Sequence, residues 1–405
     1  MPILTIGIDS VDTRLTGCTT HYTYLLVKIL NKKLKIQLAD YPWLVRLNPA
    51  IPWKTRGNAA TVLHIYSNTT EAEKITKIVR ETIKTYTINR NRPAYIILLS
   101  KEHDDIREYY KNRPKQLVTL YERTVHEAID KTLALKTLKE IKVDAIDLYG
   151  IERRSIIGAV ASLGMNLADY TYELITYRKP DNINKERKIN INTIIDYDLR
   201  YRPYTFMNYD YELNKQLIAP HGSDPILYGV RGERADIVEK ALKHIEVYEE
   251  IEGWLIYRTN QATNQHLKRK NIQSIHPYDN PILRGKIRRK RKLRKTHLIA
   301  TFTENNKTIK IAAYRETKNL QKIIEILPED IEAEVGGQIK PHTYTGELTL
   351  NTEYIKILQP TPTLPLNNII TPPLSSYHHL MKPPERKQSK KNIEQELPEK
   401  KQIIE

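Results

Sequence analysis

The sequence predicts a chain of several domains in which α and β elements are mixed. In order these are an N-terminal α/β domain, a compact α+β domain, a small β-barrel and a flexible C-terminal tail. Three observations lead to this reading. Apolar strand-like runs alternate with amphipathic helical runs up to about Leu148. Further on, a series of short strand signals, interrupted by one helical stretch, follows a dense basic run. From Pro360 the composition turns Pro-rich and then Lys/Glu-rich, as in chains too poor in apolar residues to fold. The boundaries fall at 1–148, 149–268, 269–358 and 359–405.

At 405 residues there is room for two to four domains. The formal net charge is +17 and the isoelectric point about 9.5. Such an excess points to a polyanionic partner, nucleic acid foremost. A generally Lys-rich thermophilic surface would produce the same excess. The single cysteine, Cys18, excludes an intrachain disulfide and a Cys-ligated zinc site, so no zinc is expected. No apolar run approaches the length of a membrane span. Asp9 interrupts the N-terminus before a signal-peptide core could form, so a cytoplasmic protein with no membrane contact is expected.

The first strand is the apolar, β-branched run Ile3–Ile8. Asp9 and Asp12 follow at its end, Gly17 permits a sharp turn, and Thr19 or Thr20 can cap a helix whose apolar face carries Leu25, Leu26, Ile29 and Leu30. Two carboxylates facing hydroxyls and free N–H groups suit Mg²⁺ with a phosphate. An ordinary strand-to-helix turn, with Asp and Thr chosen for capping, accounts for the same residues. A second short strand starts at Lys35–Gln37. Residues Trp43–Asn58 read as a rigid loop, because Pro49 and Pro52 oppose helix. Its Arg46, Lys54 and Arg56 can grip phosphate, and its Trp residues can stack on a base. A strand at Thr61–Tyr66, a helix at Thr70–Tyr86, a strand at Pro93–Ser100 and helices at Asp104–Lys111 and Lys115–Glu140 complete the domain. His126 on the last helix reads as a surface or packing residue.

From Gly150, Arg153 and Arg154 precede a small-residue helix with Gly158, Ala159 and Gly164, suited to close packing against a sheet or, second, a nucleotide. Tyr170–Tyr177 alternates like a half-buried strand. Turn residues flank a short strand within Pro220–Glu233, and a helix is expected from Ala235 to Val247. Arg258–Leu267 is a uniform polar stretch that reads as a contact loop. The basic run comprises Arg284, Lys286, Arg288, Arg289, Lys290, Arg291, Lys292, Arg294 and Lys295. It is expected to precede the strands His297–Phe302, Thr308–Tyr314, Ile331–Val335 and Leu348–Leu358, with a helix at Asn319–Ile326. This pattern fits a barrel of the oligonucleotide-binding (OB) type. Of the run, Arg284, Arg288, Arg289, Arg291 and Lys292 are candidate nucleic-acid contacts, a solvated face being the bland alternative.

Five blocks in order, GIDSVDTRLTGCTT, LVRLNPAIPWKTRGNAA, GAVASLG with DYTYELITYR, PHGSDPILYGVRGE and YRTNQATNQHL, resemble the archaeal 2-agmatinylcytidine synthetases of isoleucine tRNA, the TiaS family. YHHLMKP near the C-terminus resembles that family's end. The resemblance implies a kinase-like, a ferredoxin-like and an OB domain. It implies attachment of agmatine to C2 of the wobble cytidine of an isoleucine tRNA with a CAU anticodon, with ATP and Mg²⁺, so that AUA codons are read. By the same resemblance Asp9 and Asp12 bind the metal and Thr19 is the threonine the kinase-like domain phosphorylates on itself. Thr20, Arg46, Asn48, Lys54, Arg56 and Asn58 would serve the ATP phosphates or the tRNA backbone. A pocket for agmatine's guanidinium draws on Asp169, Glu173 or Asp224. Ser10, Val11 and Ala59 depart from the family's common residues, and its zinc ribbon has no counterpart. These departures motivate an alternative, a tRNA-binding member with impaired catalysis. No protein partner is evident.

Overall fold

The computed structural model describes residues 1–13, 17–55, 57–87, 92–141, 145–293, 297–314, 317–358, 380–383, 386 and 398. The first unit contains β1 (Pro2–Asp9), α1 (Thr19–Leu34), β2 (Gln37–Leu38), β3 (Trp43–Arg46), β4 (Ala59–Tyr66), α2 (Thr69–Tyr86), β5 (Ala94–Glu102), α3 (Ile106–Asn112), α4 (Lys115–His126), α5 (Lys131–Glu140) and β6 (Ala145–Tyr149). The second contains α6 (Ile156–Ala161), β7 (Thr171–Arg178), α7 (Ile191–Tyr201), β8 (Thr205–Phe206), β9 (Tyr209–Asp210), β10 (Lys215–Gln216), β11 (Ile226–Gly232), α8 (Ala235–Glu239), α9 (Ala241–His244) and β12 (Ile251–Thr259). After β13 (Lys268–Arg269) come β14 (Pro281–Leu293), β15 (His297–Glu304), β16 (Lys307–Tyr314), α10 (Lys318–Ile326), β17 (Ile331–Pro341) and β18 (Leu348–Ile357).

The first two units share one sheet, ordered β6-β5-β1-β4-β3-β12-β7-β11-β8, with β2 paired to β4. At the junction β3 and β12 run parallel, with Trp43 opposite Arg258 and Leu44 opposite Thr259. Hydrogen bonding therefore passes straight from one unit into the next. Strand β3 lies inside the segment expected to be loop. Its Trp43 is fully buried, and only the part after Arg46 is irregular.

Strand β1 is covered on both faces, which explains its continuous apolar run. Leu4, Ile6 and Ile8 meet Leu26, Leu30 and Val79 of α1 and α2. On the other face a Cβ at Gly7 would overlap the carbonyl of Ala159, so α6 lies directly on the strand. Strand β7 is buried at every position rather than at alternate ones, because its polar residues face a cavity and partners instead of solvent. The helix expected over Lys115–Glu140 is two helices. Helix α4 stops at His126, and Asp130 caps α5 by accepting from the Thr132 N–H at 2.9 Å. The expected helix Ala235–Val247 is likewise split into α8 and α9.

The third unit is a closed five-stranded barrel, β14-β15-β16-β18-β17, sealed by β14–β17 pairing, with β13 added at the side. Leu283, Ile287, Phe302, Ile311 and Leu350 fill it. The basic run does not precede this barrel; it forms strand β14. Its outward charges are matched by acids: Arg284 to Glu332 at 2.8 Å, Lys292 to Glu325 at 3.0 Å, and Arg288 to Asp330. Like-charge repulsion is thereby offset within the barrel, which is why so cationic a sequence can be a strand. Arg294 and Lys295 lie outside the described residues. The tail also departs from expectation. Leu380, Met381, Pro383 and Arg386 are buried, contrary to the disorder expected of the segment. His378, His379 and the rest of 359–379 lie outside the described residues.

One buried residue makes the fold acid-sensitive. His64 of β4 is packed among Trp43, Tyr109 and Tyr110, and neither ring nitrogen has a hydrogen-bond partner. Burial pushes its pKa from the ordinary 6.5 down to about 3. Between those values the unfolded chain takes up a proton that the folded chain refuses. Stability is thus complete above pH 6.5 and falls as pH drops, by up to about 1.4 kcal/mol per pH unit. His64→Phe should move the acid-unfolding midpoint to lower pH while changing stability at neutral pH by less than about 1.5 kcal/mol, as followed by circular dichroism.

Candidate active site

A cavity of about 1470 Å³ opens between the first unit, the second unit and the barrel. Asp9, Asp12, Thr19, Thr20, Arg46, Asn48, Lys54, Asn58, Glu173 and Asp224, all nominated from the sequence, line it. Asp9 ends β1, and Asp12 follows in the loop before α1. Residue Cys18, in extended backbone, caps α1 without a side-chain bond, so the Thr19 hydroxyl turns instead to Asp12 Oδ1, donating at 3.3 Å. Thr55 donates to Asp12 Oδ2 at 2.8 Å. Thr55 is not among the residues nominated from the sequence, although it stands between Lys54 and Arg56, which are.

Asp9 is nearly buried. Burial first, and the Asp12 charge second, push its carboxyl up to about 7, against smaller opposing hydrogen bonds from Ser10. Ser10 sits in the left-handed region at φ 57°, a strained backbone for a serine, and its hydroxyl donates to Asp9 Oδ1 at 3.3 Å. Ser10 is therefore directly on the acid it borders. Gly158 of α6 completes the enclosure, since a Cβ there would overlap Asp9 Oδ2. Close packing of the small-residue helix is against the sheet and this carboxylate.

The opposite wall is cationic. Glu173 of β7 lies between Arg231 of β11, with Nε at 3.1 Å, and Arg46 of β3, with Nη2 at 3.9 Å. Gln261 donates to a Glu173 oxygen. Two guanidinium groups thus share one carboxylate. Burial draws the Arg46 pKa below its ordinary value, and Glu173 works against that shift. The sequence reading misses Arg231, although it falls in the PHGSDPILYGVRGE block. Asn260 fixes Arg46 by accepting from its N–H and donating to its C=O, both at 2.8 Å.

Asn48 and Asn58 hold the loop that carries Lys54. Asn58 donates to Asn48 O at 2.8 Å, and Asn48 accepts from Ala50 N at 2.7 Å and donates to Tyr278 O at 2.9 Å. Lys54 donates to Pro49 O. Trp53 is 55% exposed, and the Arg154 guanidinium lies 4.2 Å over its ring. Arg56 lies outside the described residues. Among the agmatine candidates, Asp224 lines the cavity and pairs with Arg187 at 3.2 Å. Asp169 does not line it; both its oxygens are held by Arg386. The basic residues of β14 do not line it either and lie on the barrel's outer surface. His126 packs, with Nε2 2.9 Å from Gln265 O.

Residues 5–150 match the family model for the TiaS TCKD domain, and residues 153–266 that for the TiaS FLD domain. The isoleucine tRNA 2-agmatinylcytidine synthetase TiaS of Hyperthermus butylicus is 47% identical over 95% of this chain and 92% of its own length. That of Staphylothermus marinus is 34% identical over 90% of this chain and 80% of its own. The chain belongs to the TiaS family. Crystal structures of apo TiaS and of TiaS in complex with its isoleucine tRNA and ATP share its fold, with TM-scores of 0.78 and 0.80. Each is 24% identical and covers 96% of this chain and 99% of the other.

The fit between α6 and Asp9 is testable in this TiaS-family chain. Gly158→Ala should force either the helix or the carboxylate to move. Overpacking of this kind costs about 1–3 kcal/mol. A fall of several degrees in melting temperature is expected, against no change for an exposed Glu152→Ala control.

Proposed function

We propose that this chain is an ATP-dependent tRNA-modifying ligase that attaches agmatine to C2 of the wobble cytidine of an isoleucine tRNA with a CAU anticodon, so that the tRNA reads AUA codons. The observation that carries this reading is the full-length similarity to the Hyperthermus butylicus synthetase, combined with the meeting of Asp9, Asp12 and Thr19 in one cavity. A complex of TiaS with its isoleucine tRNA, AMPCPP and agmatine is among the structures of the same fold. We read the first unit (1–148) as kinase-like, the second (149–268) as ferredoxin-like, and the barrel (269–358) as an OB domain. The barrel order 1-2-3-5-4 with a helix between strands three and four supports the last. Residues 359–405 are the tail. The enzyme would work in the cytoplasm, where ATP and tRNA meet. Among the described residues no helix is long and apolar enough to cross a membrane.

The chemistry follows from the walls. The C2 oxygen of cytosine is a poor leaving group, and phosphorylation by ATP makes it a good one. Agmatine's amine then forms the C2–N bond, the C2–O bond breaks, and phosphate leaves with the electron pair and takes the amine proton. Asp9 and Asp12 suit Mg²⁺: two close carboxylates, one of them pushed up to about 7 by burial and by the other, gain most from a hard dication. With the Thr19 and Thr55 hydroxyls they would hold it, and it would neutralise charge on the transferring phosphoryl group. Among the described residues no cluster of three or more His, Cys, Asp or Glu could hold a metal ion, so Mg²⁺ here would lean on phosphate oxygens as well. Zinc has no part in this reading. Arg46, Arg231, Lys54 and Thr20 would meet phosphate. Asn48 and Asn58 shape the loop. Glu173 is already shared by two arginines, so Asp224 is the better carboxylate for agmatine.

Purified protein incubated with isoleucine tRNA, ATP and agmatine should yield a wobble nucleoside of agmatinylcytidine mass. Asp9→Asn should reduce the yield by several orders of magnitude with tRNA affinity unchanged; near-normal yield would remove Asp9 from catalysis. A binding protein with impaired catalysis would hold the tRNA and leave the nucleoside unmodified. The outward cations of β14 are a second test. Exposed ion pairs contribute only about 0–1 kcal/mol each, so they can be exchanged for phosphates. Replacing Arg288, Arg289, Arg291 and Lys292 by Ser should weaken tRNA binding and flatten its log–log salt dependence by about 0.7–0.9 per lost contact. An unchanged slope would make this strand a solvated face.

A further inference from the structure

Beyond residues 359–379 the C-terminal segment meets the cavity, which Leu380 lines. The Leu380 carbonyl accepts from Asn264 N at 2.8 Å, and Lys382 N donates to Asn264 Oδ1 at 2.6 Å. Arg386 is buried and uses its whole guanidinium. Its Nε donates to Glu233. Nη1 donates to Asp169 Oδ2 at 3.0 Å and to Ala262 O, and Nη2 to Asp169 Oδ1 at 2.6 Å and Tyr170 O at 3.3 Å. Five donors meet five acceptors, a set that no other side chain can supply.

The loop so gripped, Asn260–His266, reaches the cationic wall of the cavity, helix α4 and the barrel. Asn260 brackets Arg46 and donates to Tyr121 Oη at 2.7 Å. Gln261 orients Glu173 between Arg46 and Arg231. Gln265 accepts from Tyr121 at 2.6 Å. His266 meets Glu353 of the barrel at 3.0 Å, both fully buried. A short peptide cannot hold this pattern alone, because it has no regular hydrogen bonding and spans three units. Thr171 holds its start by donating to Gln261 O at 2.9 Å, and Gln265 holds its end by donating to Asn166 O at 3.2 Å and Asp169 O at 2.6 Å. Its middle, Ala262 and Asn264, is held by Arg386 and by Asn264's two backbone partners.

We propose that the C-terminal residues Leu380–Pro383 and Arg386 are part of the working site, with Arg386 as a positioning residue that sets the Asn260–His266 loop and, through it, the Arg46–Glu173–Arg231 wall. Arg386 touches no reacting atom. It acts by deciding where Gln261 and Asn260 stand, and a displacement of about 1 Å at such a wall costs on the order of a hundredfold in rate. The kinetic consequence rests on the ligase reading; the structural link does not.

The test uses the full chain with Arg386→Lys and Arg386→Gly. Hydrogen exchange of the 260–266 amides is measured alongside kcat and KM for agmatine attachment. Faster exchange in this loop and a large fall in kcat/KM, with melting still above the assay temperature, are expected for both variants. Guanidinium ion should refill the Arg386→Gly hole and restore both quantities, whereas ammonium at equal ionic strength should not. A variant that is merely less stable would not discriminate between the two ions. Wild-type exchange and wild-type kcat/KM in Arg386→Lys would overturn the proposal, as would a loosened loop that leaves kcat/KM unchanged. If the wild-type chain attaches no agmatine, the ligase reading fails by itself, and guanidinium-specific protection of the loop still decides the link to Arg386.

Discussion

A fully buried ion pair, Asp40 to Arg258, anchors the junction at which the two halves of the large sheet meet. The two groups are 2.8 Å apart and fully excluded from solvent. Asp40 also accepts from Trp43 Nε1 at 3.0 Å and Tyr110 Oη at 2.7 Å. The Arg258 guanidinium lies 4.4 Å from the Tyr170 ring and 5.2 Å from that of Tyr172. Burial alone would push the Asp40 carboxyl up, but Arg258 and these donors hold it below the usual carboxylate range. Losing either charge would leave the other stranded, at a cost of about 3–5 kcal/mol. The pair sits beside the place where β3 meets β12. Parallel strands so far apart in sequence have no hairpin to set their register, so a directional contact has to do it.

The cationic side of the cavity follows from that register. Strand β3 delivers Arg46 at its end, β12 runs into the Asn260–His266 loop, and β7 and β11 bring Glu173 and Arg231 alongside. On the far side β1 delivers Asp9, with α6 laid against it. The acidic and cationic walls therefore stand on strands of one sheet rather than on two domains free to drift. Rigid elements hold such groups more closely than loops can. The barrel joins through Tyr278, Asn280 and Lys340, which meet the Asn48–Ala50 loop.

The basic strand shows how one feature carries two meanings. In the sequence its charge stands alone and reads as a binding patch. In the fold, Glu332 of the paired strand β17, Asp330 just before it and Glu325 of α10 lie against it, so the same residues are also ion-pair partners within the barrel. The acids come from α10, the residue before β17 and β17 itself, some forty positions later, and no local pattern pairs them with β14.

Local spacing along the chain already specified the run of β1 into Asp9 and Asp12, the turn at Gly17, the start of α1 near Thr19, four of the five barrel strands and their helix, and the blocks that mark the family, while the basic run that forms β14 read as preceding the barrel. Those features are set by periodicity, turn residues and short-range order, and nearly all the nominated cavity residues fall within them. Packing alone brought about the sharing of Glu173 by Arg46 and Arg231, the pressing of Gly158 against Asp9, the sheet that crosses the boundary at 148, and the hold of Arg386 on Asp169. Each of these joins residues separated by many positions along the chain through a buried charge or a close backbone approach. Such contacts leave no periodic trace, because burial and pairing are properties of the packed molecule and not of any segment of it.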